Sequence, residues 1–536
     1  MRTFVKAREG DVTIHQKGPD LHGKSEGLVF LQRLQLKRAA RLRTDVLSTR
    51  FYDDFRNNGR KLDPDTLIYL QDLHGSFKGQ PISVRPSEKH ENDPNIPTSG
   101  ANTSFMIPNS NFNQFQSAML RIYENFEKAQ INDSESVEIV VNPIPGVLDR
   151  TPAGLYYYPM SSGVADSFFY YPVEDKRSDE GIARIAFGHG YAVVRDDFPV
   201  IPMLTIRNPT SPSSICRGQT FFYAIDMEKN NGLKGVEMEK MEMLNVRHAG
   251  PHVNYFGSSG GVDFDKLLSP DDPLGLGYAS GLRSIMEQIA ARSGNFQIEF
   301  TFNVFDGIGV FHVVQYKMMG GIDNTPIVIP DDGKKTYVST DHVQGHGVIK
   351  GIRHVIAISP FNYRKEQHDD VRKELKELNE GMKERGERYV LVCPGRLGTS
   401  NRDWGINVEF SDISNAAAIV EFGYDISGSH AIEMSREEMT GGHFGSHFLY
   451  QILGGATEAE KVRRLRSMGS QGTHFMTNLI TKGIIYLHVD PLSARLDPWF
   501  FEPPEGKEDA PIYVKTFQQA VTIYADLSGK KRCVIK

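Results

Sequence analysis

Two basic residues early in the chain have the type and setting that bind phosphate. Lys24 follows a glycine directly before a predicted helix, where backbone amides and an ammonium group can hold a polyphosphate. Arg85 ends the predicted strand Ile82-Ser83-Val84 and precedes a loop rich in Pro, Asn, Ser and Gly. A guanidinium group binds phosphate oxygens in pairs, so this arginine suits an anion. For Arg85 alone, a hairpin with a surface ion pair is the competing interpretation.

A carboxylate and an amide occupy two neighbouring predicted strands further along the chain. Glu299 lies in the apolar run 296–304 and Gln315 in the run 308–316, with an Asp-Gly pair between the runs that is typical of a hairpin. A buried carboxylate is costly unless it is paired or bound to a metal. Mg²⁺ on a nucleotide takes one or two protein oxygens, which this pair would supply. A half-exposed strand residue is the alternative for Glu299.

Hydrophobic periodicity predicts the elements that must position these side chains. Helical spacing of apolar residues is found within 17–43, 112–130, 280–292 and 364–387. Strands are expected at 137–142, 355–358, 389–393, 408–410, 417–422, 484–489 and 511–524. The segment 318–350 has little periodicity and marks a boundary. Beyond it, strands, a glycine loop and a helix alternate as in an α/β domain.

Composition narrows the class of protein. A chain of 536 residues with 39% hydrophobic and 24% charged residues is expected to form several globular domains. The net charge of −6 and the lack of a basic block argue against a nucleic-acid partner. An apolar run of about 18 residues, which a membrane span needs, is not found. Three widely spaced cysteines favour a reducing compartment and thus a cytoplasmic location.

The order of these segments resembles the ATP-grasp nucleotide-binding domain of phosphoenolpyruvate synthase and pyruvate phosphate dikinase. The similar segments are His22-Gly23-Lys24-Ser25-Glu26-Gly27-Leu28, Val84-Arg85-Pro86-Ser87, Gly100 to Phe105, EIVVN at 138–142, Ser162-Gly163-Val164, Ile298-Glu299-Phe300 and Val314-Gln315-Tyr316-Lys317. A synthase-like subgroup is similar also in SGVADSFFYYPV, DEGIARIAFGHG and FYAID, and in the C-terminal segments PGRLGTS, ISNA and the GSHF/GTHF pair. The resemblance spans nearly the whole chain, about residues 15 to 534.

The resemblance implies a fold, two cofactors and a set of roles. The implied fold is α/β (α+β), with ATP-grasp subdomains at 1–150 and 151–325 and a C-terminal α/β domain at 350–536. The cofactors are ATP and Mg²⁺. The implied ligands of the nucleotide are Lys24 and Arg85 on phosphates, Glu299 and Gln315 on Mg²⁺ and phosphates, Asn142 near an adenine hinge lined by the backbone of 138–142, Gly100 in a covering loop, and Lys317 at the end of the last motif.

The chain departs from the family at several points: Lys317 replaces the terminal Arg of the last motif, Asn142 replaces the usual hinge Gln, and no pyruvate-binding barrel is found. Two further departures concern phosphoryl transfer. The dikinases carry an Arg shortly after Ser-Gly-Val, whereas Ala165-Asp166-Ser167-Phe168 stands here. The phosphohistidine signature TxGGxxSH is approached at 440–447, but His447 is five residues after Gly442 instead of four. His447, His474 and Arg396 in the loop 394–400 are therefore candidates for a phosphoryl-acceptor site, each with a structural role as the alternative.

The sequence as a whole predicts an ATP- and Mg²⁺-dependent phosphotransferase, with catalytic roles for Arg85 and Lys24. Besides ATP, its partner would be a small phosphoryl acceptor of pyruvate-like or other chemistry. Neither a nucleic acid nor a membrane is expected as a partner. Whether the chain forms a homo-oligomer is left open. A non-catalytic nucleotide-binding or scaffold protein of the same fold is one alternative. An ATP-grasp ligase that forms an acyl phosphate is the other.

Overall fold

The structure, a computed structural model, contains several sheets flanked by helices, and the mixed α/β class predicted from the sequence is confirmed. The first of two compact units lies within residues 1–320 and the second is formed mainly by Gly321–Lys536. The described residues are 6–9, 11–16, 21–89, 104–108, 111–129, 136–152, 154–168, 180–190, 193, 203–204, 219, 221–228, 242–246, 249, 262, 264–269, 271–319, 325–341, 343–398, 405–422, 479–480, 482–489, 495–527 and 532–536. No helix among them is long and apolar enough to cross a membrane.

The first unit combines three sheets with six helices among its described residues. Its strands are β1 (Lys6–Glu9), β2 (Val12–His15), β3 (Thr44–Leu47), β4 (Ile82–Glu88), β5 (Phe105–Ile107), β6 (Val137–Pro143), β7 (Val147–Thr151), β8 (Gly154–Tyr158), β9 (Ser161–Asp166), β10 (Ile182–Ala186), β11 (Met203–Leu204), β12 (Phe221–Asp226), β13 (Glu242–Asn245), β14 (Phe296–Phe305) and β15 (Ile308–Met318). Its helices are α1 (Gly23–Leu34), α2 (Thr49–Asn57), α3 (Pro64–Gly75), α4 (Phe112–Ala129), α5 (Asp265–Leu268) and α6 (Tyr278–Ala290).

A six-stranded sheet in the order β1-β2-β3-β6-β4-β5 begins the first unit. Alternate residues of its central strands face opposite sides, so each strand has two different faces. One face is apolar and packs under α2, α3 and α4 in a core that includes Val84, Ile139 and Val141. The other face carries Arg85 and Asn142, which lie on the side of Val140 and Val46. Polar residues of this face are therefore buried beside a second core.

A five-stranded sheet in the order β11-β10-β9-β14-β15 lies across that second core. The residues Ile298, Phe300 and Phe302 of β14 point into it and pack with Leu28 of α1. Helix α1 approaches β15 so closely that a Cβ atom on Gly27 would be 2.5 Å from the carbonyl oxygen of Tyr316. Glycine is therefore required there by the packing of helix on strand. A four-stranded sheet in the order β13-β12-β8-β7 completes the unit.

The predicted hairpin is found as β14 and β15, and its turn has left-handed backbone at Asp306 (φ 51°) and Gly307 (φ 78°). That geometry is the one an Asp-Gly pair favours. The pairing shifts by one residue after Glu299, so that Glu299 opposes Gln315 but Phe300 opposes Val313. Val314 is the extra residue of this β-bulge.

Among its described residues, the second unit contains a nine-stranded sheet in the order β17-β23-β22-β19-β18-β25-β26-β16-β24, a two-stranded sheet of β20 and β21, and one long helix. Its strands are β16 (Val338–Thr340), β17 (Val343–Gln344), β18 (Gly347–Ile358), β19 (Tyr389–Pro394), β20 (Arg396–Leu397), β21 (Gly405–Ile406), β22 (Ala416–Phe422), β23 (Ile485–Val489), β24 (Arg495–Leu496), β25 (Ile512–Asp526) and β26 (Arg532–Ile535). Its helix α7 is His368–Glu384, and short 3-10 helices lie at Lys365–Gln367, Phe410–Ile413 and Pro498–Phe501. Strands β18, β19, β22 and β23 are parallel, as in the predicted α/β domain.

Three local predictions are wrong. Arg85 lies in the middle of β4, because the strand continues through Pro86 to Glu88. Among the described residues β5 pairs only with Ile82–Val84, so Pro86 is paired with β6 alone. On its other side no strand is paired with Pro86, and the missing N–H costs no hydrogen bond between strands on that side. The Ser162-Gly163-Val164 segment, which the resemblance implied to be a turn, is the middle of β9. The strand expected at 408–410 is absent; Phe410 begins a 3-10 helix.

Candidate functional site

Arg85 connects the six-stranded sheet to the five-stranded sheet. Its Nη1 atom donates to Oε1 of Gln315 at 3.2 Å, and its Nη2 atom donates to the carbonyl oxygen of Val314 at 2.7 Å and to Oδ1 of Asn142 at 3.0 Å. The residue is only 4% exposed, so the surface ion pair that the sequence left open is ruled out. Three residues that were predicted to share one site therefore meet, although they come from strands far apart in the sequence.

The β-bulge explains why Arg85 can bond to the backbone of β15. Within the described part of the chain, β15 is the edge strand of its sheet. Edge strands and bulges leave backbone carbonyl groups without a partner in the ladder. The carbonyl of the bulged residue Val314 accepts the shortest of the hydrogen bonds from Arg85 described here. A local irregularity in one sheet thus creates the acceptor for an arginine of the other.

Asn142 accepts a hydrogen bond from Arg85 and is itself fixed by neighbouring residues. Its Nδ2 atom donates to Oγ1 of Thr44 at 2.7 Å and to the carbonyl oxygen of Arg43 at 3.0 Å, while its Oδ1 accepts from Arg85. Asn142 is 1% exposed. Strand β6 has neighbours on both sides, and pairing uses the backbone groups of Ile139–Val141. That part of the strand therefore cannot line an adenine with its backbone, contrary to the expectation from the resemblance, and Asn142 positions the arginine.

Glu299 belongs to a polar row that crosses four strands. Residues paired directly across strands project from the same face. Glu299 is paired with Gln315 of β15 on one side and with Val164 of β9 on the other, and Val164 is paired with Arg184 of β10. An arginine therefore stands beside the Ser-Gly-Val segment after all, supplied by the next strand. Arg184 could not be recognised from the sequence, because its proximity to Val164 arises from the pairing of β9 with β10.

A second polar row lies two residues further along the same face. Lys317 is paired with Gln297, and Gln297 is paired with Asp166. The Nε2 atom of Gln297 donates to Oδ1 of Asp166 at 2.7 Å, and both residues are buried. Lys317 thus lies on the same face as Glu299 and Gln315.

His189 interacts electrostatically with the carboxylate of Glu299. Burial lowers the pKa of this imidazole to about 4, and the nearby carboxylate opposes that shift. Its backbone N–H donates to the carbonyl oxygen of Tyr223 at 2.9 Å, which holds the residue against β12. At neutral pH the ring is therefore uncharged, so it adds a polar group and no cation to the site. The only sequence signal for it was its position between Gly188 and Gly190.

The N-terminus of α1 is occupied by protein groups. Oε2 of Glu138 accepts from the hydroxyl of Ser25 and, at 3.3 Å, from the backbone N–H of His22. The N–H of Ser25 donates to Oγ of Ser87 at 3.1 Å. Lys24 is half-buried in the same turn. Backbone amides that the sequence analysis assigned to a polyphosphate thus already have protein acceptors.

Glu138, which reaches this turn from β6, has a strongly shifted pKa. Burial raises the pKa of its carboxyl group to about 7, although the hydrogen bonds from Ser25 and His22 act to lower it. It is 1% exposed and lies in the apolar strand β6. Glu138 has the same sequence signal as Glu299, because both are acidic residues inside an apolar run. This signal could have identified Glu138 from the sequence.

Glu299 and Gln315, the two residues predicted to bind Mg²⁺, differ in how available their oxygen atoms are. Oε1 of Gln315 accepts from Arg85, so a cation and a guanidinium group would compete for one oxygen. In this arrangement Glu299 is the better metal ligand of the two. Among the residues that the structure describes, no group of three or more His, Cys, Asp or Glu side chains is arranged to hold a metal ion.

The remaining candidates are only partly covered. Gly100, His447 and His474 lie outside the described residues. Arg396 begins β20, directly after the carboxyl end of β19, and its side chain is outside the described part. Nearby, Oε1 of the buried Glu421 accepts from the N–H of Leu397 at 2.8 Å and so fixes the course of this loop. The acceptor site therefore stays a prediction.

Comparison with known proteins adds no relative: no protein-family model and no curated protein sequence matches the chain.

Proposed function

We propose that the chain is an ATP- and Mg²⁺-dependent phosphotransferase whose first unit has the ATP-grasp architecture of the phosphoenolpyruvate synthase and pyruvate phosphate dikinase family. The observation that carries the proposal is the hydrogen bond between Arg85 and Gln315. It brings the basic residue of one sheet to the row of the other sheet that contains Glu299. Four of the predicted residues, Arg85, Asn142, Glu299 and Gln315, thereby fall into one neighbourhood.

The residue types of this neighbourhood suit phosphoryl transfer. In that reaction ATP and Mg²⁺ supply the activated phosphoryl group and the charge that neutralises its oxygens, and the protein mainly positions and stabilises. Glu299 would hold Mg²⁺ through its carboxylate. Arg184, which lies in the same row, and Lys24 would balance the remaining phosphate charge. Arg184 takes the place of the arginine that the chain lacks after Ser-Gly-Val.

A non-catalytic nucleotide-binding protein is the second candidate, and one observation favours it. Both Nη atoms of Arg85 donate to protein acceptors, and the carboxylate of Glu138 accepts from Ser25 in the first turn of α1. A phosphate group would have to replace some of these acceptors before either group could assist a reaction. A protein of this kind would bind the nucleotide without catalysing its reaction.

Calorimetric titration of the full chain with ATP tests what the two candidates share. ATP with Mg²⁺ is expected to bind the wild type, and Glu299→Gln is expected to bind ATP equally with and without Mg²⁺. Glu287→Gln removes an exposed carboxylate of α6 and serves as the matched control, in which the Mg²⁺ dependence is retained. A wild type that does not bind ATP would contradict both candidates.

Phosphorus NMR of ATP incubated with the protein and a candidate acceptor separates the remaining alternatives. AMP and inorganic phosphate as products would indicate dikinase chemistry with a pyruvate-like acceptor. ADP would indicate a simple kinase or an ATP-grasp ligase, and unchanged ATP, bound in the titration, would favour the non-catalytic protein.

A further inference from the structure

A pocket of about 520 Å³ lies in the first unit. It is formed by the loop that joins α3 to β4, by the hairpin β7–β8 and by the turn after β12. Its volume is that of a small-molecule site. None of its lining residues was singled out in the sequence, and none belongs to the proposed nucleotide site.

One wall of the pocket is basic and held in a fixed orientation. Arg43 donates from Nε to Oδ2 of Asp45 at 2.7 Å and from its Nη atoms to the carbonyl and hydroxyl oxygens of Ser76 at 3.1 and 2.7 Å. Its guanidinium carbon lies 4.0 Å from the centre of the Phe77 ring. The side chain is nonetheless 41% exposed. A guanidinium group fixed in this way loses little entropy when it binds an anion.

The fixed arginine is supported from behind by a buried network. Oδ1 of Asp45 accepts from Nε2 of His15 at 2.8 Å, and Nδ1 of the same ring contacts the hydroxyl of Tyr69. Burial of Asp45 acts to raise the pKa of its carboxyl group, but the hydrogen bonds from His15 and Arg43 outweigh burial and lower it. Asp45 is 3% exposed and does not line the pocket.

A second cation lies next to the arginine. Lys78 is exposed and lines the pocket with left-handed backbone (φ 52°), a conformation that non-glycine residues rarely adopt. Among the described residues that line the pocket none is acidic. Because Asp45 compensates one positive charge, Arg43 and Lys78 together leave this wall with a net charge of about +1.

The opposite wall is apolar and partly aromatic. Leu148 of β7 is 55% exposed and is paired directly with Tyr157 of β8, and Met227 adjoins them. Exposed large apolar side chains around a concave surface favour a ligand that covers them. The pocket thus presents two cations on one side and a flat apolar surface on the other.

The geometry points to a binding site for a small organic anion with a flat apolar body, an aromatic carboxylate or an aromatic phosphate monoester. Its anionic group lies against Arg43 and Lys78, and its ring lies against Leu148 and Tyr157. The residues that line this site are not those of the proposed nucleotide site, although the carbonyl oxygen of Arg43 accepts a hydrogen bond from Asn142. The existence of the site does not depend on the proposed function.

Isothermal titration of the full chain with phenyl phosphate, benzoate and neutral phenol tests this site. Both anions are expected to bind the wild type saturably in the millimolar range or below, and more tightly than phenol. Lys78→Gly removes the cation while glycine accepts the left-handed backbone, and is expected to weaken both anions about 5-fold. Leu148→Asp places a negative charge on the exposed apolar wall and is expected to weaken them more than about 10-fold.

The matched control is Arg60→Gly. Arg60 is also a basic residue with left-handed backbone (φ 60°), but it pairs with Glu127 and does not line the pocket. Its substitution is expected to leave the affinity for both anions unchanged. Unchanged affinity in both pocket variants, phenol binding as tightly as phenyl phosphate, or no saturable binding to the wild type would each overturn the proposal. Melting temperatures of the variants verify that they are folded.

Discussion

The Nη2 atom of Arg85 lies 2.7 Å from the carbonyl oxygen of Val314. This hydrogen bond joins the middle of strand β4 to the bulge in β15, which belongs to another sheet. A main-chain acceptor cannot be altered by substitution of its own side chain, so the arginine is the partner that experiments can change. This contact and the bonds to Asn142 and Gln315 make Arg85 a structural tie as well as a candidate phosphate ligand.

Arg85→Met is expected to lower the free energy of unfolding by about 3 kcal/mol. The variant keeps the length of the side chain but leaves the buried acceptors on Val314 and Asn142 without their donor. Denaturant unfolding measures the loss. Arg150→Met is the control, because Arg150 is 70% exposed and its pair with Glu228 is worth less than about 1 kcal/mol. Equal losses in the two variants would show that the tie contributes little.

Gly27→Ala is expected to destabilise the protein by about 1–3 kcal/mol, although alanine is the better helix former. Its Cβ atom would lie 2.5 Å from the carbonyl oxygen of Tyr316, so α1 would have to move away from β15. Gly75→Ala in α3 meets no atom within 4 Å and is expected to be neutral or slightly stabilising. Thermal unfolding of the two variants compares them directly, and a stable Gly27→Ala protein would argue against the close packing.

Glu138→Gln is expected to stabilise the protein at alkaline but not at acidic pH. The pKa of this carboxyl group is about 7 in the fold against an ordinary value of 4.5, so the folded state retains a proton that the unfolded state releases between these values. Stability of the wild type therefore falls as pH rises through this window, by up to about 3 kcal/mol. Glutamine can still accept from Ser25 and His22, and it does not ionise.

Urea unfolding at pH 4.5 and pH 8 measures this effect. The gain from Glu138→Gln should be small at the lower pH and largest at the higher pH. Glu228→Gln, which changes an exposed carboxylate, should show no such difference. A gain that is the same at both pH values would mean that the carboxyl group is ionised throughout.

Arg184→Gln is expected to reduce phosphoryl transfer by about 10²–10³-fold while the dissociation constant of ATP changes less than about 10-fold. A cation that acts on developing charge affects turnover more than binding. Steady-state ATP consumption and calorimetric titration provide the two numbers, and Arg184→Lys should recover part of the rate. The exposed Arg292 provides a control variant, Arg292→Gln. Turnover within about 3-fold of the wild type would remove Arg184 from the proposed site.

Local sequence signals predicted local structure well. The Asp-Gly turn of β14–β15 and the apolar stripe of α4 are encoded within a few neighbouring residues, and both elements are found at nearly the expected bounds. The end of β4 was misjudged because a proline ends a strand only where the lost N–H would have been paired, which depends on the neighbouring strand.

Sequence signals for the site were of two kinds. Polar residues inside apolar strands could be recognised by type, and Arg85, Asn142 and Gln315 do meet. The carbonyl of Val314 could not be recognised, because a backbone acceptor has no residue type and the bulge that exposes it arises from the pairing of two strands. Arg184 was hidden for a related reason, since its proximity to Val164 depends on register across strands.

The sheet of the second unit has a consequence for biosynthesis. Strand β18 is paired on one side with β25, in which Val514 opposes Ile356, and β25 leaves the ribosome long after β18. At roughly 5–20 residues per second the interval is on the order of ten seconds. During that time one edge of β18 in the nascent chain exposes unpaired backbone groups and apolar side chains that another chain could bind. Chaperone protection of the nascent second unit is therefore expected to matter most before residues 512–526 emerge.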